Sequence, residues 1–281
     1  AVVSIAFAVY GVVRLGLLVV LALRQRRVEK ARLSSPTHRP FCEPVSVVVP
    51  AYNEEVGIAA AVSSFVDNDY QGYVEVIVVD DGSTDRTAEI AEQLGFPNVR
   101  VIRQANAGKP AALNTGINAA RTEIIVMVDG DTVFERDTIR RLVQHFADPT
   151  VGAVAGNAKV GNRTGWWTRL QHLEYTLASS LERRAYAALR TTACVPGAIG
   201  AFRRLTLKQV GGVSADTLAE DSDLTMAIAR AGWTVAFAPD ARAWTETPAT
   251  LRGLYRQRFR WSYGVLQALA KHRGAVIERG A

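Results

Sequence analysis

The sequence predicts an α/β fold with a mostly parallel sheet flanked by helices, preceded by an N-terminal transmembrane helix. Three observations support this prediction. Residues 1–23 form an almost uninterrupted apolar run, β-branched runs alternate with helical patterns from residue 45 onward, and acidic residues stand where several of those runs end. A chain of 281 residues has room for one large domain and an anchor.

The N-terminal run contains a single charged residue, Arg14, between Ala1 and Leu23. At about 1.5 Å per residue, a helix of this length crosses a hydrocarbon core of roughly 30 Å. Because a charge facing lipid is costly, we expect Arg14 to pair with another helix. The sequence Arg24-Gln25-Arg26-Arg27 follows directly, and basic residues beside a span favour the cytoplasmic side. The sequence therefore predicts a protein of the cell (inner) membrane whose remaining residues face the cytosol.

A signal peptide is the alternative interpretation of this run. It fits less well, because no basic region precedes the apolar residues and no small-residue cleavage site follows them. Residues 24–44 are basic and contain three prolines, so they are expected to form a juxtamembrane linker. Because the chain opens on Ala1, we expect a fragment of a longer membrane protein.

The overall composition limits the partners. A formal net charge of +6 fits an ordinary basic surface, and it also fits contact with anionic lipid headgroups and phosphates. The sequence has neither zinc-ligand spacing nor a basic-aromatic ribonucleoprotein motif, so nucleic acid is not an expected partner. The two cysteines, Cys42 and Cys194, are isolated and indicate neither a disulfide framework nor a metal knuckle.

Residues 45–281 show the alternation of strands and helices that is typical of a parallel sheet covered on both faces. We divide this domain into two halves, about 45–135 and about 136–281. Strands are predicted at 45–50, 74–79, 99–102, 123–128 and 151–160. Helices are predicted at 54–65, 84–94, 109–120, 138–146, 166–189, 224–231 and 251–269. In the helix at 166–189 one face is apolar, and we expect it to pack on the core, with a membrane-surface helix as the alternative.

Acidic residues mark three places in the chain, Asp80-Asp81, Asp129-Gly130-Asp131 and Glu220-Asp221. In an open α/β sheet, the carboxyl ends of the strands line the ligand crevice. Carboxylates gathered there hold a cation or take up a proton, and both tasks suit work on a nucleotide diphosphate. Helix capping is the simpler explanation for Asp80-Asp81 and for the residues after Asp221.

Further candidates lie at other loop and helix positions. The turn after the first strand carries Tyr52 and Glu54, which can offer a ring face and a carboxylate to a nucleotide. Lys109 begins a predicted helix, and both a nucleotide contact and a solvated lysine remain open for it; the surrounding residues lack Walker spacing. Gln257 and Trp261 share a face of the last predicted helix, with Arg260 adjacent. Trp261 can carry a sugar ring and Arg260 a phosphate, although a buried tryptophan beside a salt-bridged arginine would look the same.

Together these motifs resemble the cytosolic domain of membrane-bound, processive, inverting family-two glycosyltransferases with a GT-A (Rossmann-like) fold. That group includes the synthases of cellulose, chitin, hyaluronan and poly-N-acetylglucosamine. The resemblance runs from about Val45 to past Trp261, with the motifs in the family's order. The stretches 104–109, 197–204 and 256–261 look most like bacterial N-acetylglucosaminyltransferases that make β-linked glucosamine polymers.

The resemblance implies roles for individual residues. The first half would bind the nucleotide and the second half the acceptor. The nucleoside, usually uridine, would lie among Tyr52, Glu54, Asp80 and Asp81. The metal-diphosphate motif would be Asp129 and Asp131, with Mg²⁺ or Mn²⁺ held chiefly at Asp131. The catalytic base would be Asp221, and Glu220 is expected to help hold the acceptor. The acceptor and diphosphate would be contacted by Pro196, Gly197, Gln257, Arg260 and Trp261.

The expected reaction is metal-dependent, inverting transfer of N-acetylglucosamine from UDP-N-acetylglucosamine to a growing β-linked polysaccharide. Expected partners are this donor, the polysaccharide, membrane lipids, and further membrane subunits or helices for polymer export. Two features depart from the family: Ala219 stands where many relatives have threonine, and no long apolar run follows Trp261. The alternatives are a non-processive transferase acting on polyprenyl phosphate and an inactive sugar-nucleotide sensor or scaffold. A dehydrogenase is disfavoured, because no Gly-x-Gly-x-x-Gly turn follows the first strand.

Overall fold

A single mixed sheet forms the centre of the fold. The computed structural model describes residues 2–33, 40–189, 191 and 194–276, with only the backbone at 2–9, 30–33, 275 and 276. Within these residues the sheet has eight strands, in the spatial order β3-β2-β1-β4-β7-β6-β8-β5. The strands are Val45–Ala51 (β1), Val74–Asp80 (β2), Val99–Arg103 (β3), Ile124–Met127 (β4), Val133–Phe134 (β5), Val151–Val160 (β6), Gly200–Arg203 (β7) and Thr234–Thr245 (β8).

The first half of the sheet aligns the ends of three strands at one edge. Strands β1, β2 and β4 are β-branched and fully buried, because helices cover both faces of the sheet. They pair in parallel, with Ala51 opposite Asp80 and Val48 opposite Met127. This register brings the residues that follow the three strands to a common edge, as the sequence predicts for a parallel sheet.

The second half extends the sheet in mixed directions. Strand β7 runs antiparallel to β4 and β6, β6 is parallel to β8, and β5 is antiparallel to β8. The predicted α/β fold with a mostly parallel sheet is confirmed. Strands β5, β7 and β8 are additions that the sequence did not predict, since their short or polar-interrupted patterns give little periodic signal.

Ten α-helices surround the sheet in the described part of the chain. They are Val2–Leu33 (α1), Ile58–Val66 (α2), Thr87–Gln93 (α3), Lys109–Ala119 (α4), Thr138–Val143 (α5), Trp166–Leu177 (α6), Arg183–Ala188 (α7), Arg204–Gln209 (α8), Glu220–Arg230 (α9) and Leu251–Lys271 (α10). Short 3₁₀ segments occupy Gln144–Ala147 and Arg273–Val276, and a π-helix occupies Ala178–Glu182.

Two predicted helices differ from the observed ones. Helix α9 begins at Glu220 rather than at 224, so the Glu220-Asp221 pair lies inside its first turn. Carboxylates there interact favourably with the helix dipole, which accounts for the earlier start. The predicted helix 166–189 is divided by the π-helix, and the apolar side chains of α6 are exposed rather than packed on the core, with Trp166 70% exposed. The prediction of core packing for this face is therefore wrong; Thr168 and Gln171 are the residues that α6 buries.

Helix α1 lies against the π-helix and α7. Arg14 Nη2 is 3.2 Å from Glu182 Oε1, so Arg14 pairs with another helix, as expected. A second ion pair joins Glu29 Oε2 to Arg184 Nη1 at 3.4 Å. Of the residues described, no helix has both the length and the apolarity needed to cross a membrane. The predicted transmembrane helix at 1–23 is therefore unsupported, and Ala1 falls outside the described residues, as do 34–39 of the predicted linker.

An ionic network joins the C-terminal end of α10 to the start of α9. Asp223 is buried and accepts from Lys271 Nζ at 2.8 Å. Its other oxygen lies 2.7 Å from His272 Nε2. Lys271 also pairs with Asp216 at 2.9 Å. Because Asp223 is two residues from Asp221, this network fixes α10 relative to the Glu220-Asp221 pair.

Candidate active site

One cavity of about 450 Å³ opens beside the aligned strand ends. It brings together ten of the residues that the sequence singled out, from both halves of the domain. These are Lys109, Asp129, Asp131, Pro196, Gly197, Glu220, Asp221, Gln257, Arg260 and Trp261. Tyr52, Glu54, Asp80 and Asp81 do not line this cavity and lie in or near the loops at the ends of β1 and β2.

Those loops are held together by hydrogen bonds between their own residues. Asn53 has a φ of +57°, a left-handed conformation that asparagine adopts more readily than most residues. Its backbone N–H donates to Ser83 Oγ at 3.0 Å, and its Oδ1 accepts from Thr84 N at 2.8 Å. Gly82 has a φ of +72°, and a Cβ there would lie 2.8 Å from Asn106 N. Hydrogen bonds thus join the loops after β1 and β2 into one rim, and the loop after β3 packs closely against it at Asn106.

The two aspartates at the end of β2 have different environments. Asp81 is buried and accepts from Gln104 Nε2 at 2.7 Å, from Ala107 N at 2.9 Å and from Gly108 N at 2.8 Å. Both of its oxygens are thus committed to the turn that leads into α4. Asp80 is also buried, but its Oδ1 has no hydrogen-bond partner among the described residues. Tyr52 is 49% exposed at the rim.

Carboxylates crowd around the Asp129-Gly130-Asp131 triplet. Glu54 packs against it so closely that a Cβ on Gly130 would lie 3.2 Å from Glu54 Cγ. Burial, followed by the charges of Asp131, Asp129 and Glu246, raises the pKa of Glu54 to about 7. Burial and the charge of Asp129 also raise the pKa of Asp131. Glu54 and Asp131 are therefore harder to ionise than carboxylates in water.

This electrostatic crowding fits a divalent cation. Burial is the main cause of these raised pKa values, and a bound cation would offset the repulsion that adds to it. Mg²⁺ or Mn²⁺ is commonly held by few protein carboxylates, with phosphate oxygens completing its shell. In the part of the chain that the structure describes, no three potential metal ligands converge on one point. The residues accordingly fit a site that Asp129 and Asp131 would share with a diphosphate, not a cage made by protein alone.

Lys109 connects the triplet to the Glu220-Asp221 pair. Its Nζ lies 2.6 Å from Asp129 Oδ1 and 3.0 Å from Glu220 Oε1. Burial opposes the charged form, yet the two carboxylates outweigh it and raise the pKa of Lys109 above its usual value. The solvated lysine that the sequence left open is therefore wrong. Gly197 faces this ion pair, since a Cβ there would lie 2.8 Å from Lys109 Nζ.

Asp221 occupies a shielded position in the first turn of α9. Burial raises its pKa, the charge of Glu220 raises it further, and Lys109 partly offsets the effect. Its Oδ1 accepts from Ser222 N at 2.7 Å, and its Oδ2 lies 3.4 Å from Gly197 N. A carboxylate with a raised pKa, oriented by backbone N–H groups and facing a cavity, is suited to accept a proton.

The residues of α10 close another side of the cavity. Trp261 carries the guanidinium of Arg258 over its ring, with 4.5 Å between the guanidinium carbon and the ring centroid. Arg258 Nη2 also pairs with Glu174 Oε2 of α6 at 2.6 Å. Gln257 Oε1 is buried without a hydrogen-bond partner among the described residues. This wall thus presents an aromatic ring and cations to the cavity.

Comparison with known proteins agrees with this geometry. A family model described as glycosyltransferase-like family 2 matches residues 43–264, which is most of the chain. The chain belongs to this family. The resemblance to family-two glycosyltransferases that was drawn from the sequence motifs is thereby confirmed.

Individual family-2 relatives are similar over much of the chain. A poly-beta-1,6-N-acetyl-D-glucosamine synthase of Staphylococcus aureus (strain COL) is 29% identical, covering 82% of this chain and 56% of that protein. An N-acetylglucosaminyltransferase of Rhizobium sp. (strain N33) is 34% identical, covering 78% of this chain and 52% of that protein. The chain therefore spans about half the length of these curated relatives.

A solved structure shares the fold. It is a mannosyltransferase from Pyrobaculum calidifontis in complex with GDP-Man and Mn²⁺, with a TM-score of 0.71 and 28% identity. The match covers 99% of this chain and 76% of the mannosyltransferase chain. An α/β glycosyltransferase fold is therefore the architecture on which this family-2 site is built.

Four charged residues of the cavity lining were not predicted from the sequence. Glu246 follows β8, and because that strand was not recognised, its terminal carboxylate was not considered. Arg258 and Glu174 were given no role from the sequence, although both line the cavity. Arg183 lines it as well and follows directly after the π-helix, a feature that sequence periodicity does not reveal.

Proposed function

We propose that this chain is the catalytic domain of an inverting glycosyltransferase that moves a sugar from a nucleotide donor to an acceptor hydroxyl. The observation that carries the proposal is the shared cavity. It places the Asp129-Gly130-Asp131 triplet, the Glu220-Asp221 pair and the Gln257–Trp261 segment around one space. This reaction needs acidic side chains that hold a cation and act as the base. It also needs cationic and aromatic side chains that bind the diphosphate and the sugar.

In this proposal Asp221 is the general base. It takes a proton from the acceptor hydroxyl while the hydroxyl attacks the anomeric carbon from the side opposite the nucleotide. The bond to the diphosphate breaks as the new glycosidic bond forms, so an α-linked donor yields a β-linkage. Ser222 N donates to Oδ1 at 2.7 Å, whereas Oδ2 accepts only a long hydrogen bond of 3.4 Å from Gly197 N, so Oδ2 is the oxygen that we assign to the proton. Glu220 holds Lys109 at 3.0 Å and thereby keeps the charge beside the base balanced.

The donor would lie across the rim and the triplet. Asp80, whose Oδ1 has no partner, is better placed to accept from the nucleoside than Asp81, whose oxygens are already hydrogen-bonded. Tyr52 supplies an exposed ring at the same rim. Asp129 and Asp131 would hold a divalent cation, which when bound offsets the charge that develops on the leaving diphosphate. Arg260 and Trp261 contact the diphosphate and the acceptor from α10.

The proposed donor is UDP-N-acetylglucosamine and the proposed product is a β-linked N-acetylglucosamine polymer. The names of the Staphylococcus and Rhizobium relatives support this choice. The solved mannosyltransferase holds GDP-Man, so the nucleotide and the sugar both require a direct test.

The test is nucleotide release over a panel of UDP-sugars and GDP-mannose with Mg²⁺ or Mn²⁺, with products analysed by mass spectrometry. We expect UDP-N-acetylglucosamine to give the fastest release and a ladder of β-linked products. Strong release from another donor would overturn the substrate, and a single added sugar on a polyprenyl phosphate would overturn polymer synthesis. Asp221→Asn should abolish transfer while UDP still binds; near-normal turnover would refute the base. Nucleotide binding with no release from any donor would indicate a sensor instead.

We further propose that the protein works at the cell (inner) membrane, with this domain in the cytosol and other membrane helices or subunits exporting the polymer. Exposed apolar side chains along α1, such as Val12 and Val20, support contact with lipid. The outer face of α10 carries Tyr255, Phe259 and Tyr263, all exposed, with successive ring centroids 6.5 and 6.0 Å apart. Sedimentation with anionic vesicles tests this localisation, and a chain that stays in the supernatant would contradict it.

A further inference from the structure

Arg183 is a cation in the cavity to which the reaction described above gives no task. Its Nη1 donates to Gly156 O at 3.2 Å, and its guanidinium carbon lies 6.0 Å from the ring centroid of Phe237. Among the residues that the structure describes, no carboxylate lies within ion-pair distance of Arg183. A guanidinium carries five N–H donors, so most of its hydrogen-bonding capacity is uncommitted.

The backbone around Arg183 is shaped to direct it inward. The π-helix Ala178–Glu182 ends immediately before it, and such wide turns occur often at functional sites. Its two neighbours are tied to α1, Glu182 by Arg14 and Arg184 by Glu29. Arg183 therefore lies between two residues that ion pairs hold against α1, and its own side chain lines the cavity.

Burial indicates that this guanidinium needs a partner. Desolvation lowers the pKa of Arg183, and Cys194, Tyr175 and Asp221 only partly offset the effect. An arginine remains charged in such a setting, and the single hydrogen bond to Gly156 O leaves most of its donors without an oxygen partner among the described residues. A molecule that enters the cavity could supply a further oxygen.

The surroundings favour the acceptor over the donor diphosphate. Arg183 contacts β6 and β8 of the second half, on the side of Asp221. The diphosphate is proposed to lie at Asp129, and the cation that pairs with Asp129 is Lys109, not Arg183. Asn157 lies on the same part of the wall, with Nδ2 donating to Pro239 O and Oδ1 without a partner among the described residues. A donor beside an unsatisfied acceptor matches a sugar hydroxyl, which both donates and accepts, and an acetamido group, whose oxygen accepts and whose N–H donates.

We propose that Arg183 binds an oxygen of the acceptor sugar beside Asp221 and orients the attacking hydroxyl, with α1 holding the segment that carries it. This assignment rests on the proposed glycosyltransferase function. The ligand class is a neutral oligosaccharide with hydroxyl or acetamido oxygens. A diphosphate at Arg183 is the competing outcome of the test.

The experiment compares Arg183→Gln and Arg183→Lys with Arg169→Gln, an exposed arginine on α6 outside the cavity lining. Binding of β-linked N-acetylglucosamine oligosaccharides is titrated in the presence of UDP, and UDP affinity is measured separately. Loss of a charged hydrogen bond should weaken oligosaccharide binding about tenfold or more in Arg183→Gln. We expect partial recovery in Arg183→Lys, and unchanged UDP affinity in every variant. Thermal unfolding verifies that each variant is folded.

Unchanged oligosaccharide affinity in folded Arg183→Gln would overturn the inference, and so would a wild-type protein that binds no oligosaccharide. A loss of UDP affinity instead would assign Arg183 to the diphosphate and overturn it equally. Failure of the proposed function has a different signature, because it is the absence of nucleotide release from every donor by the wild type. The binding comparison remains decisive in that case.

Discussion

Replacing Glu54 by glutamine should stabilise the protein at neutral pH. The folded-state pKa of Glu54 is about 7 against an ordinary value of 4.5, so the folded state binds more protons than the unfolded state between these pH values. The free energy of unfolding contributed by this group therefore falls as the pH rises from 4.5 to 7. The difference between the two pKa values corresponds to about 3.4 kcal/mol in the free energy of unfolding. Because Glu54 is half-buried and screened by solvent, we expect Glu54→Gln to raise the free energy of unfolding at neutral pH by roughly 1–2 kcal/mol.

The assay is urea unfolding of wild type, Glu54→Gln and Glu55→Gln at pH 5 and pH 7.5 without divalent cation. Glu55 is an exposed neighbour whose Oε2 accepts from Arg86 N at 3.2 Å, so its replacement controls for the loss of a surface carboxylate. Glu54→Gln should gain stability relative to wild type at pH 7.5 but not at pH 5, and the control should gain at neither. Adding Mn²⁺ should stabilise wild type more than Glu54→Gln. Equal pH dependence in wild type and Glu54→Gln would refute the electrostatic account of this cluster.

Three further outcomes follow from the site. In Glu220→Gln the acid limb of the transfer rate should move to lower pH, because the charge that raises the pKa of Asp221 is gone; an unmoved limb would contradict Asp221 as the titrating base. In Gly197→Ala the added methyl group should displace the Lys109 ammonium and lower the transfer rate about tenfold or more, with the melting temperature nearly unchanged. Full activity would contradict the need for Lys109 in its observed position. Gly116→Ala should cost about 1–3 kcal/mol of stability by overpacking the core under α4, with activity per folded molecule retained, as urea unfolding and nucleotide release would reveal.

The sequence predicted the parts of the fold that have strong periodic signals. Strand β6 was predicted with the bounds that the structure has, and β1, β2 and β4 lie within a residue or two of their predicted limits, because buried β-branched runs between turn residues leave few alternatives. Strand β8 was missed, since its twelve residues alternate irregularly and contain proline and charged residues. The apolar face of α6 shows that a periodic pattern identifies a helix without identifying what its face contacts.

The candidate site was predictable where acidic residues follow strands, as at Asp129 and Asp131. It was not predictable where tertiary contacts decide the role. Nothing local in the sequence distinguishes Asp80 from Asp81, and only the fold shows that the turn before α4 already uses both oxygens of Asp81. Arg183 depends on a π-turn, a feature that sequence periodicity does not reveal.

The docking of α1 has a practical consequence for enzymology. A chain truncated to begin near Val45 would keep every recognised motif but would lack Arg14 and Glu29. These two residues form the ion pairs that hold the segment around Arg183 against α1. If Arg183 binds the acceptor sugar as proposed, the shortened form should bind UDP normally and the oligosaccharide more weakly. Low turnover in a truncated form would then come from a poorly positioned Arg183. It would not mean that the residues proposed for the reaction itself are impaired.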